Sequence, residues 1–348
     1  MSQQKAIVIT SPKQASLVTD RAIPTLRDDY ILVKTVSVAI NPTDWKHVEY
    51  VAPPGVLVGC DYSGVVEEVG KAVKKPFKKG DRICGIAHGS NAVQVEDGSF
   101  ATYIVVKGDV QMRIPDYMSF QEAATLGVGV STVAQGLYQS LQLAPPTKPI
   151  KDKTPILIYG GSTATGTVAI QFAKLSGYTV LTTCSPRNFD LVKSLGADAV
   201  YDYNDPNAAS KVNEDTKNNL KLVFDTISLE VSSKFSDKAL STNGGDYSAL
   251  LHIKVERENV KSRITLAYTI TGESFDFGTT TVPAKPEDKA FYEGFIPIIE
   301  EVLNEKKLKP HPIKVLPGGL KGTLQGMKDL QEGRVSAEKL VCNVEETP

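Results

Sequence analysis

Apolar and polar residues alternate in short runs along about the first 120 positions of the chain. The stretches YILVKTVSVAI (30–40), DYSGVVEEVG (61–70) and ATYIVVK (101–107) alternate or are rich in β-branched residues, with Gly, Pro and Asp between them. A period of two, interrupted by turn residues, is typical of β-strands. The N-terminal part is therefore predicted to form a small barrel-like β domain.

The pattern changes from position 155 onward, where apolar runs alternate with helical periods. The predicted strands are PILIY, TVLTT, AVYDY, KLVFDTI, SALLHI and RITLAYTI. After the first of them, TGTVAIQFAKLSG places Val168, Ala169, Phe172 and Ala173 on one stripe of a helix that Gly177 is expected to end. Alternation of this kind predicts a doubly wound parallel sheet with helices on both faces. A helix at about 287–306 and a strand–helix–strand tail complete the chain.

The segment YGGSTATG (159–166) is a candidate dinucleotide-binding loop, because a strand precedes it and a helix follows. Its middle glycine position holds Thr163, whose hydroxyl either donates to a phosphate or caps the helix. The candidate cofactor residues are Gly161, Ser162, Thr163, Ala164, Thr165 and Gly166.

The end of the second predicted strand indicates which cofactor is bound. An NAD site usually has Asp or Glu about 20 residues after the glycines, to bind the ribose 2′-hydroxyl. Here the sequence reads TTCSPRN (182–188), with no carboxylate before Asp190. Ser185 and Arg187 instead offer a hydroxyl and a guanidinium, which suit a 2′-phosphate. The sequence therefore favours NADPH.

The order of these motifs resembles the medium-chain dehydrogenase/reductase superfamily. Within it, the motifs NPTDWKH (41–47), GCDYSGVVEEVG (59–70), FKKGDRICGIAHG (77–89), GSFATY (98–103) and TCSPRNFDLVKSLGADAVYDY (183–203) resemble fungal trans-acting enoyl reductases and yeast toxin-D-like reductases. The resemblance implies an α/β fold with a GroES-like β-barrel catalytic domain (1–128 and 306–348) and a Rossmann dinucleotide-binding domain (129–305). It also implies an enzyme that acts on a small molecule, either as a monomer or as a homodimer.

The resemblance also bears on metal chemistry. Zinc enzymes of this superfamily carry a ligand Cys before a Thr-Asp pair and a ligand His in a GHE motif. This chain has Asn41 and Cys60 at the corresponding positions. A catalytic zinc site needs three good protein ligands, so we expect no metal.

Four residues outside the glycine loop receive roles from the resemblance. Lys46, in NPTD-x-K, is expected near the nicotinamide, where it stabilises an enolate, holds the cofactor or delivers a proton. Asn41 is expected to shape the same pocket. Thr132 either contacts the nicotinamide side or N-caps the helix that follows. Tyr203 either lies near the adenosine phosphate or packs at the sheet edge.

Composition excludes several other classes of protein. The 348 residues carry a formal net charge of −1 and include no long charged block, so no nucleic-acid or lipid surface is indicated. No apolar run approaches the roughly 18 residues that span a membrane. Four scattered cysteines and the lack of a signal-peptide pattern predict a cytoplasmic protein.

The leading interpretation is a zinc-independent reductase that transfers hydride from NADPH to the C=C bond of an α,β-unsaturated carbonyl. Without a Lewis acid, conjugate reduction requires only hydrogen-bond donors to the enolate oxygen. The main alternative is an NADPH-dependent aldehyde or ketone reductase on the same scaffold. A quinone reductase and a low-turnover NADPH-binding accessory protein are further alternatives.

Overall fold

The computed structural model describes residues 3–348. The strands are β1 (Gln3–Ser11), β2 (Gln14–Ala22), β3 (Tyr30–Ala39), β4 (Asp61–Val69), β5 (Arg82–Ile86), β6 (Tyr103–Lys107), β7 (Met112–Arg113), β8 (Pro155–Tyr159), β9 (Thr179–Cys184), β10 (Ala199–Asp202), β11 (Leu222–Asp225), β12 (Gly245–Ala249), β13 (Val260–Ile264), β14 (Phe275–Phe277), β15 (Thr280–Val282), β16 (Ile313–Leu316) and β17 (Lys339–Asn343).

The α-helices are α1 (Pro42–Tyr50), α2 (Phe120–Ala123), α3 (Gly127–Val133), α4 (Ala164–Leu175), α5 (Phe189–Ser194), α6 (Ala208–Asp215), α7 (Glu230–Ala239), α8 (Pro286–Asn304) and α9 (Gly319–Gln331). A π-helical segment, Ala134–Ser140, directly follows α3. No helix within residues 3–348 is long and apolar enough to cross a membrane.

The chain divides into two compact units. Unit 1 comprises the residues up to Val128, Tyr268–Asn304 and Pro310–Pro348, and unit 2 comprises Gly129–Ala267 and Glu305–Lys309.

Unit 2 contains a six-stranded parallel sheet in the order β10-β9-β8-β11-β12-β13. This is the order of the doubly wound dinucleotide-binding fold, which binds its ligand where the strand order reverses, here between β8 and β11. The predicted helical stripe is confirmed, because the residues Val168, Ala169, Phe172 and Ala173 are all buried. Helix α4 ends before Gly177, whose φ of +87° suits a glycine stop.

Unit 1 contains a seven-stranded sheet in the order β16-β17-β3-β4-β5-β7, with β6 paired to β3. The long strands β3 and β4 form its centre, and the core consists of their inward apolar residues and those of β1, β6 and α9. The three strands expected around 30–40, 61–70 and 101–107 are confirmed as β3, β4 and β6. The C-terminal strand β17 pairs with β3, so the tail completes the sheet of this unit.

Helix α8 belongs to unit 1, whereas the sequence placed residues 268–304 in the cofactor domain. Glu300 accepts hydrogen bonds from Nζ of Lys75 and from the backbone N–H of Arg113, each at 2.9 Å. The hydroxyl of Tyr117 donates to the carbonyl oxygen of Leu303 at 2.6 Å. These contacts attach helix α8 to the β domain. The helical period of the sequence did not indicate them.

Two predicted strands are shorter than the apolar runs that indicated them. In SALLHI the strand β12 ends at Ala249, and in RITLAYTI the strand β13 ends at Ile264. The residues Ala267–Thr271 form a 3₁₀ turn. Tyr268 and Ile270 are nevertheless buried, so the run is apolar because it packs into unit 1 and not because it continues the sheet.

Candidate active site

A tight glycine turn joins strand β8 to helix α4. Gly160 has a φ of +84°, in the left-handed region that glycine adopts readily. A Cβ atom on Gly161 would lie 2.0 Å from Oγ1 of Thr182, and one on Gly166 would lie 2.2 Å from the carbonyl oxygen of Gly160. These glycines therefore allow the turn to pack closely against the sheet and the helix.

Thr163 is the N-cap of helix α4. Its Oγ1 accepts the backbone N–H of Gly166 at 2.9 Å and donates to the carbonyl oxygen of Gly160 at 2.9 Å. It also lies 3.0 Å from Oγ1 of Thr226, which follows β11. The single hydroxyl proton is thus used inside the turn. Of the two interpretations of Thr163, the helix cap is the one that the geometry supports.

The first turn of α4 leaves backbone donors available for an anion. Within residues 3–348, the backbone N–H groups of Ser162, Ala164 and Thr165 have no hydrogen-bond acceptor. They lie at the N-terminus of a 12-residue helix, where the helix dipole also favours negative charge. A dinucleotide pyrophosphate fits this cradle, which would bind it through backbone donors.

A second polar group follows strand β9. Oγ of Ser185 lies 3.0 Å from the hydroxyl of Tyr203, which is 41% exposed and lies directly after β10. Arg187 is exposed in the 3₁₀ turn that follows Ser185, and no carboxylate within residues 3–348 pairs with it. The carboxylate at the end of β10, Asp202, accepts the backbone N–H of Asn204 at 2.9 Å.

Two unit 1 residues that the sequence singled out, Asn41 and Lys46, lie at the start of helix α1 and within it. Asn41 is its N-cap, in an extended conformation, and Pro42 begins the helix. The backbone N–H of Asn41 donates to Oδ2 of Asp44 at 2.7 Å. Burial raises the pKa of Asp44 to about 7. Asp44 is therefore a structural anchor for the start of the helix.

Lys46 lies on the same helix and is half-buried. Its Nζ is 5.7 Å from the centre of the Trp45 ring, and no carboxylate within residues 3–348 forms an ion pair with it. Burial lowers its pKa, which makes the ammonium a stronger acid than an exposed lysine.

The side chain of Asn41 belongs to a buried polar group with Asp61 and Lys339. Nδ2 of Asn41 donates to Oδ2 of Asp61 at 2.9 Å, and Nζ of Lys339 donates to Oδ1 of Asn41. Nζ of Lys339 also lies 2.8 Å from Oδ2 of Asp61, and both charged side chains are at most 4% exposed. The other carboxylate oxygen of Asp61 accepts the backbone N–H of Val128 at 2.6 Å.

These residues do not fit a zinc ion. Asn41 is a poor ligand, and the ammonium of Lys339 already neutralises the nearest carboxylate. Burial also raises the pKa of the Cys60 thiol well above its usual value, which disfavours the thiolate that binds metals. Among residues 3–348, no three His, Cys, Asp or Glu side chains are grouped as metal ligands.

Tyr268 is at the centre of a second buried cluster in unit 1. Its hydroxyl lies 2.6 Å from Oγ1 of Thr43 and 3.7 Å from Sγ of Cys60. His88 stacks on its ring at a centroid distance of 4.2 Å, and Nε2 of His47 is 3.4 Å from Oγ1 of Thr43. Burial lowers the pKa of His47 to about 4 and that of His88 to about 3, so both imidazoles are neutral at pH 7.

Thr132 lies inside helix α3, one residue before its end, and is buried. An N-cap residue precedes its helix, so the alternative that Thr132 caps a following helix is wrong. Its proposed contact with the nicotinamide side stays a prediction.

The structure groups the predicted site residues within each unit. In unit 2, the glycine loop forms one group, and Ser185 and Tyr203 form another. In unit 1, Asn41 is the N-cap of helix α1 and Lys46 lies within that helix. Sequence reasoning missed Lys339, which is 298 residues from Asn41. The only signal was a charged residue at the start of the apolar strand KLVCNV.

Two family models match the chain. The alcohol dehydrogenase GroES-like domain matches residues 27–116, and the zinc-binding dehydrogenase model matches residues 164–248. The chain is 66% identical to the trans-enoyl reductase TOXD of Cochliobolus carbonum over 275 residues, which cover 79% of this chain and 93% of that protein. It is 47% identical to the trans-enoyl reductase resD of Aspergillus sclerotiorum, covering 98% of this chain and 100% of that one.

A solved structure agrees with these matches at the level of the fold. The quinone oxidoreductase from Coxiella burnetii superposes with a TM-score of 0.70 at 24% identity, and the match covers 99% of this chain and 100% of that one. At this identity the likeness concerns the fold alone. It confirms the two-domain α/β architecture that the sequence predicted.

Proposed function

This chain belongs to the trans-enoyl reductases of the medium-chain dehydrogenase/reductase superfamily, which are nicotinamide-dependent oxidoreductases, and we propose that it uses NADPH to reduce the C=C bond of an α,β-unsaturated carbonyl compound. The observation that carries the proposal is the composition of helix α1. The helix begins after Asn41, whose amide stands where a zinc enzyme of this superfamily would bear a metal ligand, and it carries the ammonium of Lys46.

The preference for NADPH is supported by the residues after strand β9. A 2′-phosphate is a dianion that suits a guanidinium and hydroxyl donors. Arg187 is exposed and pairs with no carboxylate of the described part of the chain, and the hydroxyls of Ser185 and Tyr203 already lie together. No acidic side chain stands at the position that would select the 2′-hydroxyl of NAD.

The pyrophosphate of the cofactor would be held by the backbone N–H groups of Ser162, Ala164 and Thr165. Gly161 and Gly166 support this role because they let the turn lie close to the helix. The bound cofactor supplies the hydride that adds to the β-carbon of the substrate.

Hydride addition to an unsaturated carbonyl leaves negative charge on the carbonyl oxygen, as an enolate. Hydrogen-bond donors aimed at that oxygen lower the barrier. We assign this role to Asn41 and Lys46. The lowered pKa of Lys46 also suits it to transfer a proton. Thr132 is proposed to position the nicotinamide side of the site.

The reaction is proposed to need no zinc. The polar group around Asn41 contains the ammonium of Lys339 as its cation, and an enolate requires only donors. Three further points stay predictions: the boundaries of the catalytic and cofactor domains, the monomeric or homodimeric state, and the cytoplasmic location.

The experiment that tests the proposal follows NADPH oxidation with four compounds and identifies each product. The compounds are an α,β-unsaturated acyl thioester, a saturated ketone, a saturated aldehyde and a quinone. We expect the unsaturated thioester to be reduced to the saturated one. The kcat/KM with NADH should be at least about tenfold lower than the kcat/KM with NADPH. Alcohol formation from the ketone or aldehyde at a higher kcat/KM would favour the carbonyl reductase instead.

A further inference from the structure

Lys339 is a buried cation for which the proposed reaction provides no role. It begins strand β17, and its backbone N–H donates to the carbonyl oxygen of Pro312 at 2.7 Å. Its side chain is 4% exposed. A buried ammonium is costly unless acceptors surround it. The acceptors of its Nζ are Oδ1 of Asn41 and Oδ2 of Asp61.

This arrangement allows only one orientation of the Asn41 amide. Its Oδ1 faces the ammonium and its Nδ2 faces the carboxylate. A 180° flip would place the NH2 group against Lys339 and the oxygen against Asp61, so two attractive contacts would become two repulsive ones. Asp61 cannot rotate to compensate, because its Oδ1 accepts the backbone N–H of Val128.

The orientation leaves one N–H of the Asn41 amide as a hydrogen-bond donor. One N–H of Nδ2 is bonded to Asp61, and the second N–H has no partner within residues 3–348. Lys339 draws electron density towards Oδ1 and so strengthens the remaining N–H as a donor. Its charge also neutralises Asp61, which would otherwise repel an oxyanion nearby.

We propose that Lys339 is a positioning residue, which acts through Asn41: it locks the amide so that Nδ2 donates to the oxygen of the α,β-unsaturated carbonyl as charge develops there. This inference rests on the proposed function. It is distinct from a purely structural ion pair, which would affect folding but not the rate. It also differs from direct contact of Lys339 with a cofactor phosphate, which would affect NADPH affinity.

The test is a double-mutant cycle with Lys339→Met, Asn41→Ala and the double variant. We expect K339M to lower kcat about 10- to 100-fold, with the Kd for NADPH within about twofold of the wild-type value. The double variant should be no slower than N41A alone, because Lys339 acts through Asn41. Lys314→Met, on the exposed neighbouring strand β16, is the matched control and should leave kcat unchanged. Additive effects on kcat, an unchanged kcat in K339M, or a tenfold weaker NADPH affinity would each overturn the proposal.

Two further measurements keep the result decisive. If K339M does not fold, the charge-neutral pair Lys339→Met and Asp61→Asn replaces it in the cycle, with the same expectation.

The second measurement is amide hydrogen exchange, which does not depend on catalytic turnover. In protein labelled with ¹⁵N-asparagine, the Asn41 side-chain amide, assigned through N41A, should exchange slowly with solvent in the wild type and fast in the Lys339 variant. Equal exchange would refute the lock even if the unsaturated thioester is not reduced, whereas slow wild-type exchange without turnover of the unsaturated thioester would refute the proposed function alone.

Discussion

Nζ of Lys339 lies 2.8 Å from Oδ2 of Asp61, and both side chains are buried. A buried ion pair of this kind contributes little net stability relative to apolar residues, but removal of one partner leaves an isolated charge in the interior. The stability of the unit 1 sheet therefore depends strongly on both residues.

Lys339→Met is expected to lower the free energy of unfolding by about 3–5 kcal/mol, because Asp61 would be left charged and buried. Lys314→Met should lower the free energy of unfolding by about 1 kcal/mol or less, since the ion pair of Lys314 with Glu338, at 3.6 Å, is exposed. Urea unfolding followed by circular dichroism measures both. Equal losses in the two variants would show that the burial of Lys339 is unimportant for stability.

Arg187→Ala is expected to raise the KM for NADPH about 10- to 100-fold while the KM for NADH changes little, because only NADPH carries the 2′-phosphate. Lys193→Ala, which removes an equivalent exposed charge from the neighbouring helix α5, is the control and should affect neither value much. Steady-state kinetics with both cofactors decide the point. A parallel change in both KM values would remove Arg187 from the 2′-phosphate site.

Thr163→Ala is expected to destabilise the protein by about 1 kcal/mol through loss of the N-cap of α4, and to leave NADPH affinity within about threefold, because the backbone donors remain. Thr163→Ser keeps the cap and should match the wild type. Urea unfolding and titration of NADPH fluorescence provide the two readouts. A large loss of NADPH affinity with unchanged stability would restore the phosphate-donor interpretation of Thr163.

The buried histidines predict sensitivity to acid. The folded pKa of His88 is about 3, below an unfolded value of about 6.5. Its contribution to stability is therefore present above pH 6.5 and is lost as the pH falls towards 3. Between pH 6.5 and 5.0 the loss is about 2 kcal/mol. The contribution of Asp44 to stability falls as the pH rises, because its pKa in the folded protein is raised to about 7. A comparison of variants is therefore needed to isolate the effect of His88.

His88→Phe keeps a ring against Tyr268 and removes the titration. We expect the wild type to lose about 2 kcal/mol more than this variant between pH 6.5 and 5.0, as measured by urea unfolding at both values. His252→Asn, at an exposed position, should follow the wild type. The same pH dependence in the wild type and His88→Phe would mean that His88 is not the titrating group.

Local patterns predicted the fold well because they report local physics. The stripe from Val168 to Ala173 and the stop at Gly177 follow from helical geometry alone. Thr163 was open to two interpretations because a hydroxyl before a helix suits a cap and a phosphate equally, and only its contacts with Gly160 and Gly166 distinguish them.

Non-local contacts could not be predicted in this way. Lys339 contacts Asn41, which is 298 residues earlier in the sequence, because β17 pairs with β3. Tyr268 lies in an apolar run that resembles a strand, yet it packs on His88. The hydrophobic period of the sequence does not indicate such partners, and Lys339 is the one that contacts the proposed catalytic amide.

The most direct test of the central claim uses NADPH that carries deuterium at the transferable position of the nicotinamide, with an α,β-unsaturated acyl thioester as substrate. Mass spectrometry and NMR then locate the deuterium in the product. Conjugate reduction predicts one deuterium on the β-carbon of a saturated thioester and a solvent-derived hydrogen on the α-carbon. Deuterium on the former carbonyl carbon, in an aldehyde or allylic alcohol with the C=C bond intact, would contradict the account.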